Sequence, residues 1–182
     1  KYTKSLRVIP NNYQKYMSFS IGQHLVFIDS FQFMSTSLEA LVNNTPDLKY
    51  TKQAFDNETN KLDLITKKGV YPYEYTNSFE KLKEKELPPL EKWYSSLTDE
   101  GISEEDLARA KKIWELFNIP NLGEYHDLYL KTDVTLLTDV FETFRSTCLE
   151  FYKLDPAHYF TSPGLSWDAM LKITNISLDL MS

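Results

Sequence analysis

Tyr129 and Asp133 stand four residues apart in H-D-L-Y-L-K-T-D-V-T-L-L-T-D-V-F, residues 126 to 141. On a helix that spacing puts both on one face, with Leu136, Leu137 and Val140 continuing close to it. A carboxylate at the margin of an apolar core can coordinate a divalent cation when other carboxylates converge on it. A tyrosine hydroxyl one turn away can then orient a water beside that metal. The plainer reading is a surface aspartate with a half-buried tyrosine, because Y-x-x-x-D is a common spacing.

Two further clusters could handle phosphate. Ser37-Leu38 follows F27-I-D-S, and Ser37 either donates to a phosphate or caps the helix that begins after it. K67-K-G-V-Y-P-Y73 places two lysines beside a glycine and then tyrosines. Such a run can grip a phosphate and stack a base, and it can equally be a surface loop. The acidic run at 99 to 106 turns any nucleic-acid path away from that side. His24, His126 and His158 are scattered without metal-ligand spacing. There is no G-x-x-x-x-G-K-S/T, no G-x-G-x-x-G and no G-x-S-G.

The elements that must position these groups read as mostly helical. The apolar run in H24-L-V-F-I-D29 predicts a short buried strand. A strand needs partners for its backbone groups, and Val8-Ile9, residues 16 to 21 and Leu62 to Ile65 are the candidates within the chain. Short helices are expected from Ser37 and near Tyr50, with a polar loop at 56 to 61. Residues 80 to 92, ending at Pro88-Pro89, read as a surface connection. Ser103 caps the next helix, Asp106 returns the interaction, and Ile102 with Leu107 forms a hydrophobic staple. After Pro120 and Gly123 a long helix runs from about 124 to 152. Leu130, Val134, Leu137, Phe141, Phe144, Cys148 and Phe151 are expected to seal one face of it. Asp155-Pro156 ends it, and S162-P-G-L-S-W-D-A-M-L-K predicts a turn and a last short helix.

A chain of 182 residues with 42% hydrophobic content has the length of one domain, or of a core with an appendage. The formal net charge of -6 offers no global attraction for nucleic acid, so contacts must come from local lysines. Cys148, the single cysteine, excludes an internal disulfide and a cysteine metal cluster, and fits a reducing compartment. Its phase in the long helix makes it a core thiol. No apolar run is long enough to span a bilayer, and no secretory signal is visible. The opening K-Y-T-K-S and closing L-D-L-M-S fall inside patterned sequence, so both ends read as cut from something longer.

Five stretches, in order, resemble the protein-primed family B DNA polymerases, of the kind in large self-synthesising DNA transposons and related viruses, plasmids and organelles. They are K15-Y-M-S-F-S, L25-V-F-I-D-S-F-Q-F-M-S-T-S-L-E-A-L-V, G69-V-Y-P-Y-E-Y, Y125-H-D-L-Y-L-K-T-D-V-T-L-L-T-D-V-F and L154-D-P-A-H-Y-F-T-S-P-G-L-S-W-D-A-M. The resemblance implies an α/β fold: an incomplete ribonuclease-H-like 3′→5′ exonuclease domain, mostly helical in this segment. Residues 1–155 would be its distal part, and residues 156–182 the start of the connection to the polymerase body.

The site roles follow from the same resemblance. Y129-L-K-T-D133 is similar to the third exonuclease motif, making Asp133 the metal-binding carboxylate and Tyr129 the residue that aligns the hydrolytic water. S37-L-E-A-L is similar to the motif that contacts the single-stranded 3′ end, giving that role to Ser37 and Leu38. Lys68 would stabilise the scissile phosphate, with Tyr73 alongside in contact with the strand. The D-x-E of the first motif and the second motif are not found, and neither are the polymerase motifs. Mg²⁺ or Mn²⁺ is therefore expected in the complete enzyme and is weak or missing in this segment. The implied partners are a single-stranded DNA 3′ end and the rest of the polymerase chain or a terminal protein, with no membrane. The implied location is intracellular, in the nucleus or wherever the encoding element replicates. The alternative is a captured transposon fragment serving as a protein-binding or structural module that self-associates, including as a homodimer.

Overall fold

A computed structural model describes residues 6–10, 12, 16–67, 69–96 and 98–179. It is mostly helical, with a small three-stranded antiparallel sheet. Two compact units divide the chain: Lys1–Ser37 with Phe141–Ser182, and Leu38–Val140.

The first unit holds the sheet. Strands β1 (Leu6–Pro10), β2 (Tyr16–Ile21) and β3 (Leu25–Ile28) pair in sequence order. Gly22, at φ +68, supplies the left-handed residue that begins the turn from Ile21 back to Leu25. Phe19 and Phe27 are cross-strand partners, with rings stacked 4.3 Å apart. The expected strand at 25–28 forms, and so do both candidates upstream, but the strand is not buried. Leu25, Val26 and Phe27 are exposed: successive side chains point to opposite faces, so neither face of the sheet is covered along β3, and the sheet's buried residue is Ser18 on β2. Beyond β3, Asp29 caps a single 3₁₀ turn, Ser30–Gln32, by accepting from the Phe31 N–H. Phe33 then packs 6.4 Å from Phe141 and 5.9 Å from Phe144, ring centre to ring centre.

The second unit begins with three short helices, α1 (Leu38–Asn43), α2 (Lys49–Ala54) and α3 (Thr59–Ile65). The expected loop at 56–61 is therefore helical from Thr59, and Leu62 to Ile65 is not a strand. A helical turn puts Leu62 and Ile65 on one side, with Asp63 left in solvent, and α3 packs against α4 (Glu104–Leu116). α4 starts as its sequence predicts. Ser103 accepts from the Asp106 N–H at 3.0 Å, and its hydroxyl donates to the Asp106 carboxylate at 2.8 Å. Around Ala110 and Ile113 gather Tyr71, Trp93, Ile119, Leu122 and Tyr125, with Ile102 and Leu107 at the edge. Between α3 and α4 the chain is irregular, and its polar groups find partners both near and far in the sequence. Trp93 Nε1 donates to the Pro88 carbonyl at 2.9 Å, and the Leu122 N–H donates to the Glu84 carbonyl at 2.7 Å.

Helix α5 (Leu122–Tyr152) is the long helix the sequence predicts, entered through Asn121, whose side chain accepts from the Glu124 N–H at 3.0 Å. Its buried face is not the expected one. Leu130, Val134, Leu137 and Phe151 are exposed, whereas Leu122, Tyr125, Thr132, Leu136, Asp139 and Val140 are buried. Phe141 and Phe144 do meet Phe33, and Cys148 is a core thiol as expected. Counting Leu, Val and Phe alone sets the wrong phase for the first half of α5. Tyrosine, threonine and aspartate go inward there because their polar atoms are satisfied: Tyr125 donates to the Val70 carbonyl, and Thr132 to that of Leu128. After a 3₁₀ turn capped by Asp155, α6 (Ser162–Thr174) follows, buried through Leu165 and Ala169.

Candidate active site

Asp133 and Tyr129 lie on α5 beside the loop that follows α3. Tyr73 Oη donates to Tyr129 Oη at 2.8 Å. The Tyr129 hydroxyl in turn interacts with the Asp133 carboxylate. Two phenols and a carboxylate thus form a short polar line into a wall of rings. Tyr71 lies 5.3 Å from Tyr129 and 5.1 Å from Tyr73, centroid to centroid.

The line exists because Gly69 leaves room for it. A β-carbon on residue 69 would come within 2.8 Å of Tyr129 Cε2 and 3.1 Å of Cδ2. Only glycine lets the backbone come this close to that ring. A recess of about 30 Å³ open to water lies alongside, enough for a water molecule. Leu64, Lys67, Gly69, Tyr129 and Asp133 are among its lining residues. Its apolar walls set the electrostatics. Burial raises the Asp133 carboxyl above its ordinary range, and the Tyr129 hydroxyl partly offsets this. Burial also raises the Tyr129 phenol, with the Tyr73 bond and the Asp133 charge adding to it. Tyr129 is a neutral hydroxyl at any physiological pH and can only hydrogen-bond, not act as a base.

Of the residues singled out in the sequence, the structure brings Tyr73, Tyr129 and Asp133 together. Leu38 opens α1, is half-buried, and does not line the recess. Ser37 is exposed at the residue before it. Lys68 lies outside the described residues. Asp133 is a single carboxylate. Among the described residues no three His, Cys, Asp or Glu side chains gather into a metal-binding group. The donors among the described residues do not fit a pair of divalent cations, because one aspartate neither neutralises nor positions two dications. The scattered histidines stay scattered.

Sequence reasoning missed Gly69 as the residue that seats Tyr129, and missed Asp139. Asp139 is buried, and its carboxylate accepts from the Tyr50 N–H at 2.7 Å, the Thr51 N–H at 2.8 Å and the Thr51 hydroxyl at 2.6 Å. One signal was available: T-D-V occurs twice in α5, at 132–134 and 138–140.

No known protein family, curated protein or solved structure matches the chain. Among the described residues no helix is long and apolar enough to cross a membrane.

Proposed function

We propose that the chain is part of the ribonuclease-H-like 3′→5′ exonuclease domain of a protein-primed family B DNA polymerase, and carries one wall of its proofreading site. The observation that carries this reading is the Tyr73–Tyr129–Asp133 line, seated by Gly69 beside a recess that admits water. A nuclease site can use a carboxylate at the edge of an apolar wall together with a neutral hydroxyl that orients a water. Asp133 and Tyr129 have that chemistry. Lys68 supplies positive charge toward a phosphate, and Ser37 with Leu38 holds the unpaired strand. Hydrolysis with Mg²⁺ or Mn²⁺ belongs to the complete enzyme, since the carboxylates described here do not suffice for it. The test is a fluorescence-anisotropy titration of labelled single-stranded DNA at fixed low salt. Saturable binding weakened by Lys68→Ala supports the reading; no binding, or binding indifferent to Lys68, contradicts it.

A second reading, a self-associating structural module, is favoured by the outer strands. Leu6 and Val8 on β1, and Leu25 and Val26 on β3, leave apolar side chains on edges without a further strand among the described residues. Sedimentation across a range of concentrations separates the two: a concentration-dependent dimer supports self-association, and a constant monomer removes it.

A further inference from the structure

Helix α2 is held at both of its ends by α5. It has no side-chain cap of its own at Leu48. The Asp139 carboxylate takes that place, accepting the Tyr50 and Thr51 N–H groups in the first turn of α2 and the hydroxyl of Thr51, which is fully buried. At the other end Lys131 Nζ donates to the Ala54 carbonyl at 2.7 Å and sits 4.6 Å from the centre of the Phe55 ring. An anion meets the N-terminus and a cation the C-terminus, each matched to the helix dipole. Eight residues of α5 span about 12 Å and six residues of α2 about 9 Å, so the two charges bracket the short helix.

Asp133 lies between those two charges along α5, and α2 is tied to α1, the helix that Leu38 opens. The connection from Asn44 to Leu48 is bonded at each side: the Thr45 hydroxyl donates to the Leu41 carbonyl at 2.9 Å, and Asp47 pairs with Lys52 at 2.6 Å. α1 itself is anchored by buried Val42. We infer that Asp139 and Lys131 are positioning residues: by clamping α2 they register the α1 segment, with its strand-contacting Leu38, against the helix that carries Asp133. The inference rests on the nuclease reading for what Leu38 contacts; the clamp itself rests on geometry alone.

The expected effect is graded. Asp139→Ala takes the acceptor from the part-buried Tyr50 N–H and from the buried N–H and hydroxyl of Thr51, a loss of at least roughly tenfold in a local equilibrium. Thr51→Val and Lys131→Met each remove one bond while keeping apolar bulk, and serve where Asp139→Ala compromises folding. Hydrogen exchange is measured on the native chain and all three variants, followed by anisotropy with a labelled single-stranded oligothymidylate. Faster exchange that extends from Lys49–Phe55 into Leu38–Asn43, with binding weakened by roughly tenfold in Asp139→Ala, supports the clamp as a positioning device. Faster exchange confined to Lys49–Phe55, with Leu38–Asn43 unchanged, overturns it. A native chain that does not bind the oligonucleotide overturns the nuclease reading, and exchange at Leu38–Asn43 still decides the clamp.

Discussion

Gly69 lies against the ring of Tyr129 so closely that a β-carbon there would stand 2.8 Å from Cε2. The ring is held on its other sides by Tyr71 and by the hydroxyl of Tyr73, so it cannot simply swing away. Gly69→Ala therefore forces either the loop or the ring to move. The expected cost is about 1–3 kcal/mol in urea unfolding. The Tyr129 resonance should shift in NMR spectra while those of the sheet residues stay in place. An unperturbed Tyr129 would mean that the loop gives way and the close approach is not what seats the ring.

Asp133 provides a pH signature. Its carboxyl is raised above the ordinary 3.8 because burial disfavours the charge. The folded chain thus holds that proton more tightly than the unfolded one, and stability falls as pH rises from the ordinary value through the folded one. At neutral pH the burial penalty is fully present, so Asp133→Asn should raise the melting temperature there. The gain is below about 1 kcal/mol, since the group is only partly shielded from solvent. The difference should shrink at about pH 3, where the native carboxyl is protonated. Tyr129→Phe should raise the Asp133 carboxyl further, because the phenol lowers it; a carbon-detected NMR titration reads this directly.

The phase of α5 is checked by two substitutions two residues apart. Leu136 is buried and Val134 is 56% exposed. Leu136→Ala should cost about 2–5 kcal/mol, while Val134→Asp should change stability by no more than about 0.5 kcal/mol. The reverse order in thermal unfolding would restore the face expected from the leucine and phenylalanine spacing.

That contrast also shows where sequence reasoning stops. Ser103 as a cap, the long helix and its end near Asp155 were legible because capping and periodicity are local. The phase of α5 was not, because it depends on Tyr71 and Val70, more than fifty residues away, receiving Tyr125 and Tyr129. Asp139 was invisible for the same reason: a buried carboxylate is tolerable only if donors meet it, and those donors are on α2, 88 and 89 residues distant. Of the candidate site, the Tyr129–Asp133 pair was readable from its spacing. Its link to Tyr73 was not, since nothing in the spacing places residue 73 against residue 129.

Arg145 and Asp155 form a two-pronged ion pair, with Nε at 3.0 Å and Nη2 at 2.7 Å from the carboxylate. The guanidinium holds the Asp155 carboxyl below its ordinary value. The sign is opposite to that of Asp133: this stabilisation is present above the ordinary carboxylate value and is lost as pH falls through the folded one. Asp155→Asn should destabilise by about 1 kcal/mol at neutral pH, and the difference from the native chain should vanish at about pH 2. Chemical unfolding at the two pH values tests it, and a difference that persists in acid would contradict an ion-pair origin, since asparagine still accepts from the Ala157 N–H.

The most direct measurement of the nuclease reading is competition between linear and circular single-stranded DNA of the same sequence and length for the native chain. A proofreading wall recognises an end. The linear strand, with its free 3′ hydroxyl, should displace a labelled 3′-ended probe at concentrations roughly tenfold lower than the circle, and Tyr129→Phe with Lys68→Ala should reduce that preference. Equal displacement by circle and line, or no displacement by either, would contradict the account.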